Sequence, residues 1–118
     1  MAERSATRST TNSQFSVLFT WTGLLNGDTG ASIELDNWGD RTIQFTGTFG
    51  TGGTIVLQGS NDNTNWFSLT DPQGNAISKT AAGMETVMET PRYTRIAVTA
   101  GDGSTSLTAI LFARRTQR

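Results

Sequence analysis

The 118-residue chain has no cysteine and no histidine. Disulfides, thiolate nucleophiles, zinc sites built on either residue and imidazole acid–base chemistry are therefore excluded together. Long apolar runs are also missing, and nothing approaches the roughly 20 consecutive apolar residues of a membrane span. The start, Met1-Ala-Glu-Arg-Ser-Ala-Thr-Arg, is polar with no apolar stretch behind it. No export leader is expected, and the protein should be made in a cytoplasm and kept there or packed directly from it. Hydrophobic residues make up only 35%, below the usual share for a globular domain, so the core should be thin.

What the chain does have is Thr, Ser, Gly and Asn in abundance, the composition of short strands joined by many turns. At this length one domain is expected. The formal net charge of -1 hides an uneven layout. Residues 1–14 carry Arg4 and Arg8 against Glu3, residues 113–118 carry Arg114, Arg115 and Arg118, and the body between them is net acidic. Basic ends on an acidic body suit termini that reach onto acidic neighbours. These five arginines are the candidate partner-binding residues.

Residues 2–13, AERSATRSTTNS, hold almost nothing apolar. They cannot repay the entropy of ordering alone, so residues 1–14 are expected to form a flexible arm and residues 15–118 the folded domain. From Gln14 the pattern changes. Phe15, Val17, Phe19 and Trp21 alternate with Ser16, Thr20 and Thr22, the period of a strand with one buried face. A second short strand is expected at Ile33-Glu34-Leu35. Ile43, Phe45 and Phe49 point inward from the next run, which Gly50-Thr51-Gly52-Gly53 appends as a hairpin to Thr54–Gln58. Asn65–Leu69, Arg92–Val98 and Ser106–Phe112 are the remaining strands, the last two joined by a hairpin loop at residues 100–104. Only Ala81–Thr90 has helical flavour, limited by Gly83 and Pro91 to a turn or two. The expected fold is all-β: a single-domain antiparallel β-sandwich or jelly roll, with Phe15, Phe19, Trp21, Phe45, Leu57, Trp66, Ile96 and Leu111 in its core.

Few residues invite chemistry. Asp36–Asp40 and Ser60–Asn65 cluster hard oxygen ligands, but neither follows the spacing of an EF-hand loop, and Asx residues are the default turn formers. Glu34 with Asp36, and Glu85 with Glu89, are carboxylate pairs with no sign of burial nearby in sequence. No catalytic residue, metal or cofactor is expected. With no basic stripe interleaved with aromatics, neither nucleic acid nor a membrane is an expected partner.

Val56-Leu57-Gln58-Gly59-Ser60-Asn61-Asp62-Asn63-Thr64-Asn65-Trp66, followed by Pro91-Arg92-Tyr93-Thr94-Arg95-Ile96, resembles discoidin-type, galactose-binding-like β-sandwich domains over residues 54–113. The resemblance implies that Trp66 packs against the core, Asn61–Asn63 make a turn, and Tyr93 and Ile96 anchor a strand. The chain departs from that family by its shortness, its missing disulfide and its lack of ligand-binding spikes, so sugar or lipid binding is not carried over. In size and texture the whole chain is more similar to capsid decoration, or cement, proteins of tailed phages. That resemblance implies a non-enzymatic virion protein on the outer capsid surface that binds the major capsid protein and itself, a trimer ahead of a dimer, with the arm ordering on a neighbour. The alternative is a carbohydrate-binding module of a phage fibre or surface, for which Trp21, Trp38 and Trp66 are the candidate platforms.

Overall fold

A computed structural model describes residues 2–115. The described residues contain twelve strands and no helix: β1 (Glu3–Arg4), β2 (Ala6–Thr10), β3 (Ser16–Leu24), β4 (Thr29–Gly30), β5 (Ile33–Glu34), β6 (Asp40–Thr48), β7 (Thr54–Ser60), β8 (Phe67–Ser68), β9 (Ser78–Lys79), β10 (Gly83–Thr86), β11 (Tyr93–Ala100) and β12 (Ser106–Arg114). They form two sheets. Sheet A runs β1-β4-β11-β7-β8, with β5 also on β11 and β9 also on β7; sheet B runs β10-β6-β12-β3-β2. All pairings are antiparallel except the two-residue β1–β4 contact.

From β3 onward the chain steps between sheets: β3 in B, β4 and β5 in A, β6 in B, β7 to β9 in A, β10 in B, β11 in A, β12 in B. With β12 between β3 and β6, and β11 between β4 and β7, and with the short pairs β4–β5 and β8–β9 each taken as one interrupted strand, β3 to β12 make the double Greek key of an eight-stranded jelly roll. The expected all-β sandwich is what forms.

Alternation explains the core. Trp21, Phe45, Ile55, Leu57, Ile96, Leu107 and Leu111 come from both inner faces and are fully buried between the sheets. β4 comes very close to Trp21. A Cβ on Gly30 would lie 2.6 Å from Ile96 and 2.7 Å from the Trp21 ring, and the indole N–H donates to Ala31 O at 3.0 Å. In β3, Gly23 has φ 64° where the β3–β12 register slips, so a residue without a Cβ supplies the bulge.

Several expectations fail for identifiable reasons. Residues 3–10 are not a free arm. β2 pairs with β3 through five residues and β1 with β4, so backbone hydrogen bonds supply the order that apolar burial does not. The β6–β7 and β11–β12 hairpins do not exist, because each pair is split between the two sheets. Gly50–Gly53 and Gly101–Ser104 instead carry the chain across one end of the sandwich. Asp102 ties the two crossings, accepting from the N–H groups of Thr51 (2.8 Å) and Ser104 (2.9 Å). The segment with helical flavour holds β10, which satisfies the open edge of β6. Phe15 precedes β3 and is 41% exposed. Trp66 is half-buried on the outer side of sheet A, its ring covered by the Arg95 guanidinium at 4.2 Å, so it is not a core anchor. The Asn61–Asn63 turn does form, with Asn63 at φ 61°, and Ile96 is buried as expected.

Candidate functional site

The two outer faces of the sandwich differ in kind. On sheet A, β11 turns Tyr93, Arg95 and Ala97 outward, and their cross-strand partners include Glu34 and Gln58. Arg92 pairs with Glu34 at 2.7 Å, and Arg95 donates to Gln58 Oε1 at 2.8 Å. This is a solvated, charged surface. Sheet B turns outward Thr7 and Ser9 from β2, Ser16, Leu18, Thr20 and Thr22 from β3, Thr108, Ile110 and Phe112 from β12, Thr42, Gln44 and Thr46 from β6, and Met84 and Thr86 from β10. None of these side chains is ionisable. Phe112 sits directly opposite Leu18, and Ile110 lies in the same cross-strand row as Gln44 and Met84, which is 58% exposed.

Among the described residues, charge returns only at one end of this face, where Arg114 and Asp40 face each other on β12 and β6 at 3.3 Å. Both are exposed, so the pair contributes little to folding. Phe112 and Arg114 border a groove of about 680 Å³ with Met88 and a second of about 570 Å³ with Phe15. Beside them Arg115 lies over the rings of Phe15 and Trp38, 5.8 Å from each, and its N–H donates to Phe15 O.

The arginines singled out in the sequence are therefore not one site. Arg114 and Arg115 stand together at the end of sheet B. Arg8 is exposed on the edge strand β2. Arg4 is engaged within the fold: its Nε donates at 2.8 Å to Asp28, which is only 4% exposed. Arg118 lies outside the described residues. Burial would raise the Asp28 carboxyl, but donation from the Leu25 N–H, the Arg4 guanidinium and the Ala2 N–H outweighs it and holds the group below the usual carboxylate range.

The other polar clusters are occupied internally. Asp62 accepts from the N–H groups of Thr64 and Asn65, from the Asn65 side chain and from the Ser60 hydroxyl, and its carboxyl is held low by those bonds. Glu89 is bound by the Thr70 N–H and hydroxyl, Glu85 by Lys79, and Glu34 by Arg92. Among the described residues no group of three carboxylates gathers around a cation position. Arg41, 3% exposed, donates to the carbonyls of Leu35 and Trp38 and, at 3.4 Å, to the Thr94 hydroxyl. It clamps the Leu35–Asp40 loop without a carboxylate, and burial pulls its pKa down to about 10.

A groove of about 540 Å³ between Ser60–Leu69 and Glu89–Pro91 has the 70% exposed Phe67 on its rim. Its polar lining is largely engaged: Asn61 Oδ1 accepts from the Arg92 N–H, and Asp62 and Glu89 are bound as above. Each of the three tryptophans is engaged within the fold. Trp21 is buried, Trp66 lies under Arg95, and Trp38 lies beside Arg115.

Sequence reasoning missed the sheet B face although its signal was present. Every outward position of the three alternating runs 16–22, 42–46 and 108–112 is uncharged. No protein-family model matches the chain, and no curated protein does. The fold is similar to that of solved structures. The crystal structure of the SPBc2 prophage-derived protein YomS superposes with a TM-score of 0.64 at 11% identity, covering 88% of this chain and 98% of that one. The Schizosaccharomyces pombe Cnp3 cupin domain superposes at 0.45 with 10% identity, covering 94% of this chain and 60% of that one.

Proposed function

We propose that this chain is a structural protein of a tailed-phage virion: a capsid decoration protein that sits on the outer shell, binds the major capsid protein and associates with copies of itself. The observation that carries the reading is the outer face of sheet B, which carries no charge except the Arg114–Asp40 pair at one end and has Leu18, Ile110 and Phe112 at its centre. A protein that worked alone in water would gain solubility from charge there, as sheet A does; a protein that spends its life against other proteins gains from leaving it out. The fold shared with a prophage-derived protein supports the phage setting. Internal engagement of Glu34, Glu85, Glu89, Asp62 and Asp102 supports a binding role over catalysis. The test is to find the protein in purified virions and count it against the major capsid protein. Many hundreds of copies support decoration; a few dozen point to tail or fibre, and absence refutes the reading.

The second reading, a carbohydrate-binding module, is favoured by one feature, the exposed Phe67 beside the 540 Å³ groove. Titration with host-surface glycans, with Phe67→Ala as control, separates the two.

A further inference from the structure

We propose that the outer face of sheet B is where two copies of this chain stack on one another, about a two-fold axis that runs parallel to the strands between β6 and β12. The inference rests on the reading of the chain as an assembly protein and names the surface through which it meets itself.

The argument for a second copy, over a different protein, is one of charge. When identical faces meet, each charge is brought toward its own kind unless the symmetry sends it elsewhere. Sheet A fails that condition, because Arg95 stands outward on its central strand β11, beyond the Arg92–Glu34 pair at that strand's start. Sheet B meets it. Its interior rows hold no ionisable group, and its one charged pair, Arg114 and Asp40, occupies opposed positions on the adjacent strands β12 and β6. An axis between those strands lays β12 of each copy over β6 of the other. Arg114 of each then faces Asp40 of its partner, so the contact within each copy is exchanged for an equal one across the interface, two for two. The same operation sets Phe112 over Thr42 and Met84 over Thr20, covering the most exposed apolar side chain of the face with a threonine methyl.

The area sets the strength. About that axis β10 overlies β3 and β6 overlies β12 while β2 overhangs, so four strands about 4.8 Å apart and some six residues long at roughly 3.4 Å each overlap over roughly 400 Å² in plan. A stable interface takes about 800 Å² per partner. The dimer is therefore expected to be concentration-dependent and reversible, strengthened where a shell holds copies close together.

The test is sedimentation equilibrium of the full chain over a wide concentration range, with circular dichroism to check folding. The wild type is expected to pass from monomer to dimer mass, while Ile110→Lys stays monomeric throughout. Thr42→Lys, a polar surface position on the same face, is the second variant should Ile110→Lys misfold, and it is expected to stay monomeric too. Arg114→Asp is expected to weaken association about tenfold or more, and the exchanged pair Asp40→Arg with Arg114→Asp to restore it. A wild type that stays monomeric at the highest concentration, a trimer mass, or a dimer indifferent to both lysine variants overturns the inference. Binding to bare shells of the parent phage is read separately. A lysine variant that is monomeric yet still binds shells supports the stacking face and leaves the capsid reading intact. A wild-type dimer that ignores shells sinks the capsid reading and leaves the stacking face standing.

Discussion

Asp28→Asn is the sharpest probe of how the N-terminal segment is held. Asp28 is nearly buried and accepts from Leu25 N–H at 2.9 Å, Arg4 Nε at 2.8 Å and Ala2 N–H at 3.3 Å. Asparagine keeps the shape but replaces one acceptor oxygen with a donor, which must face another donor. Hydrogen bonds to a charged group are worth about 1.5–3 kcal/mol each, and one oxygen survives, so a loss of about 2–4 kcal/mol is expected at pH 7. For a chain of this length that lowers Tm by roughly 6–20 °C. The pH dependence follows from the direction of the shift. The folded carboxyl is held below its unfolded value near 3.9, so its contribution is complete above about pH 4 and is lost as pH falls through the folded value. The gap between wild type and variant should close in the same window. Urea unfolding from pH 7 to pH 3 measures both, and hydrogen exchange should show faster exchange in β1 and β2 of the variant. A loss under about 0.5 kcal/mol at pH 7, or a gap that does not narrow in acid, would refute the assignment of Asp28 as the anchor.

Trp21→Ala, which removes the largest buried side chain and the bond to Ala31 O, should cost about 3–5 kcal/mol or prevent folding, read by denaturant titration. Trp66→Ala should cost well under that, about 1–2 kcal/mol, since it loses a half-exposed ring and one cation–π contact. Gly30→Ala should destabilise by more than about 1 kcal/mol, because its Cβ meets two buried side chains at under 3 Å, and thermal unfolding reads it. Arg41→Met should cost about 1–3 kcal/mol by leaving the Trp38 carbonyl without its donor and the Leu35 carbonyl with the Trp38 N–H alone, with faster hydrogen exchange confined to residues 35–40.

The sequence made strands legible and their partners illegible. Period-2 alternation locates β3, β6 and β12 because one face of each must be apolar, but it carries no information on which sheet receives a strand. Glycine-rich turns at residues 50–53 and 101–104 therefore read as hairpins when they cross between layers. The N-terminal segment was misjudged for another reason. Its order comes from backbone pairing with β3 and β4 and from Arg4 meeting Asp28, 24 residues away, and neither leaves an apolar signature. Resemblance alone places Trp66 in the core. Its position before β8, under an outward-facing arginine, is set by tertiary geometry that no local pattern shows.

The edges of the two sheets bear on how copies can meet. On one side of the sandwich, β1 covers the edge of β4 and β2 covers the edge of β3, so the N-terminal segment closes both sheets at once. On the other side the edges are β8 and β9, two residues each, and β10, four residues. The longest open edge is β2, five residues with Arg8 at its centre. Two such strands laid antiparallel about a centred two-fold would place Arg8 against Arg8, and short, charged edges are how sheets avoid growing sideways. Edge-to-edge pairing is thus blocked by length on one side and by charge on the other. The face of sheet B has neither obstacle. The proposed two-fold stacking closes at two copies, and with the edges short or charged nothing extends that pair into a continuous sheet.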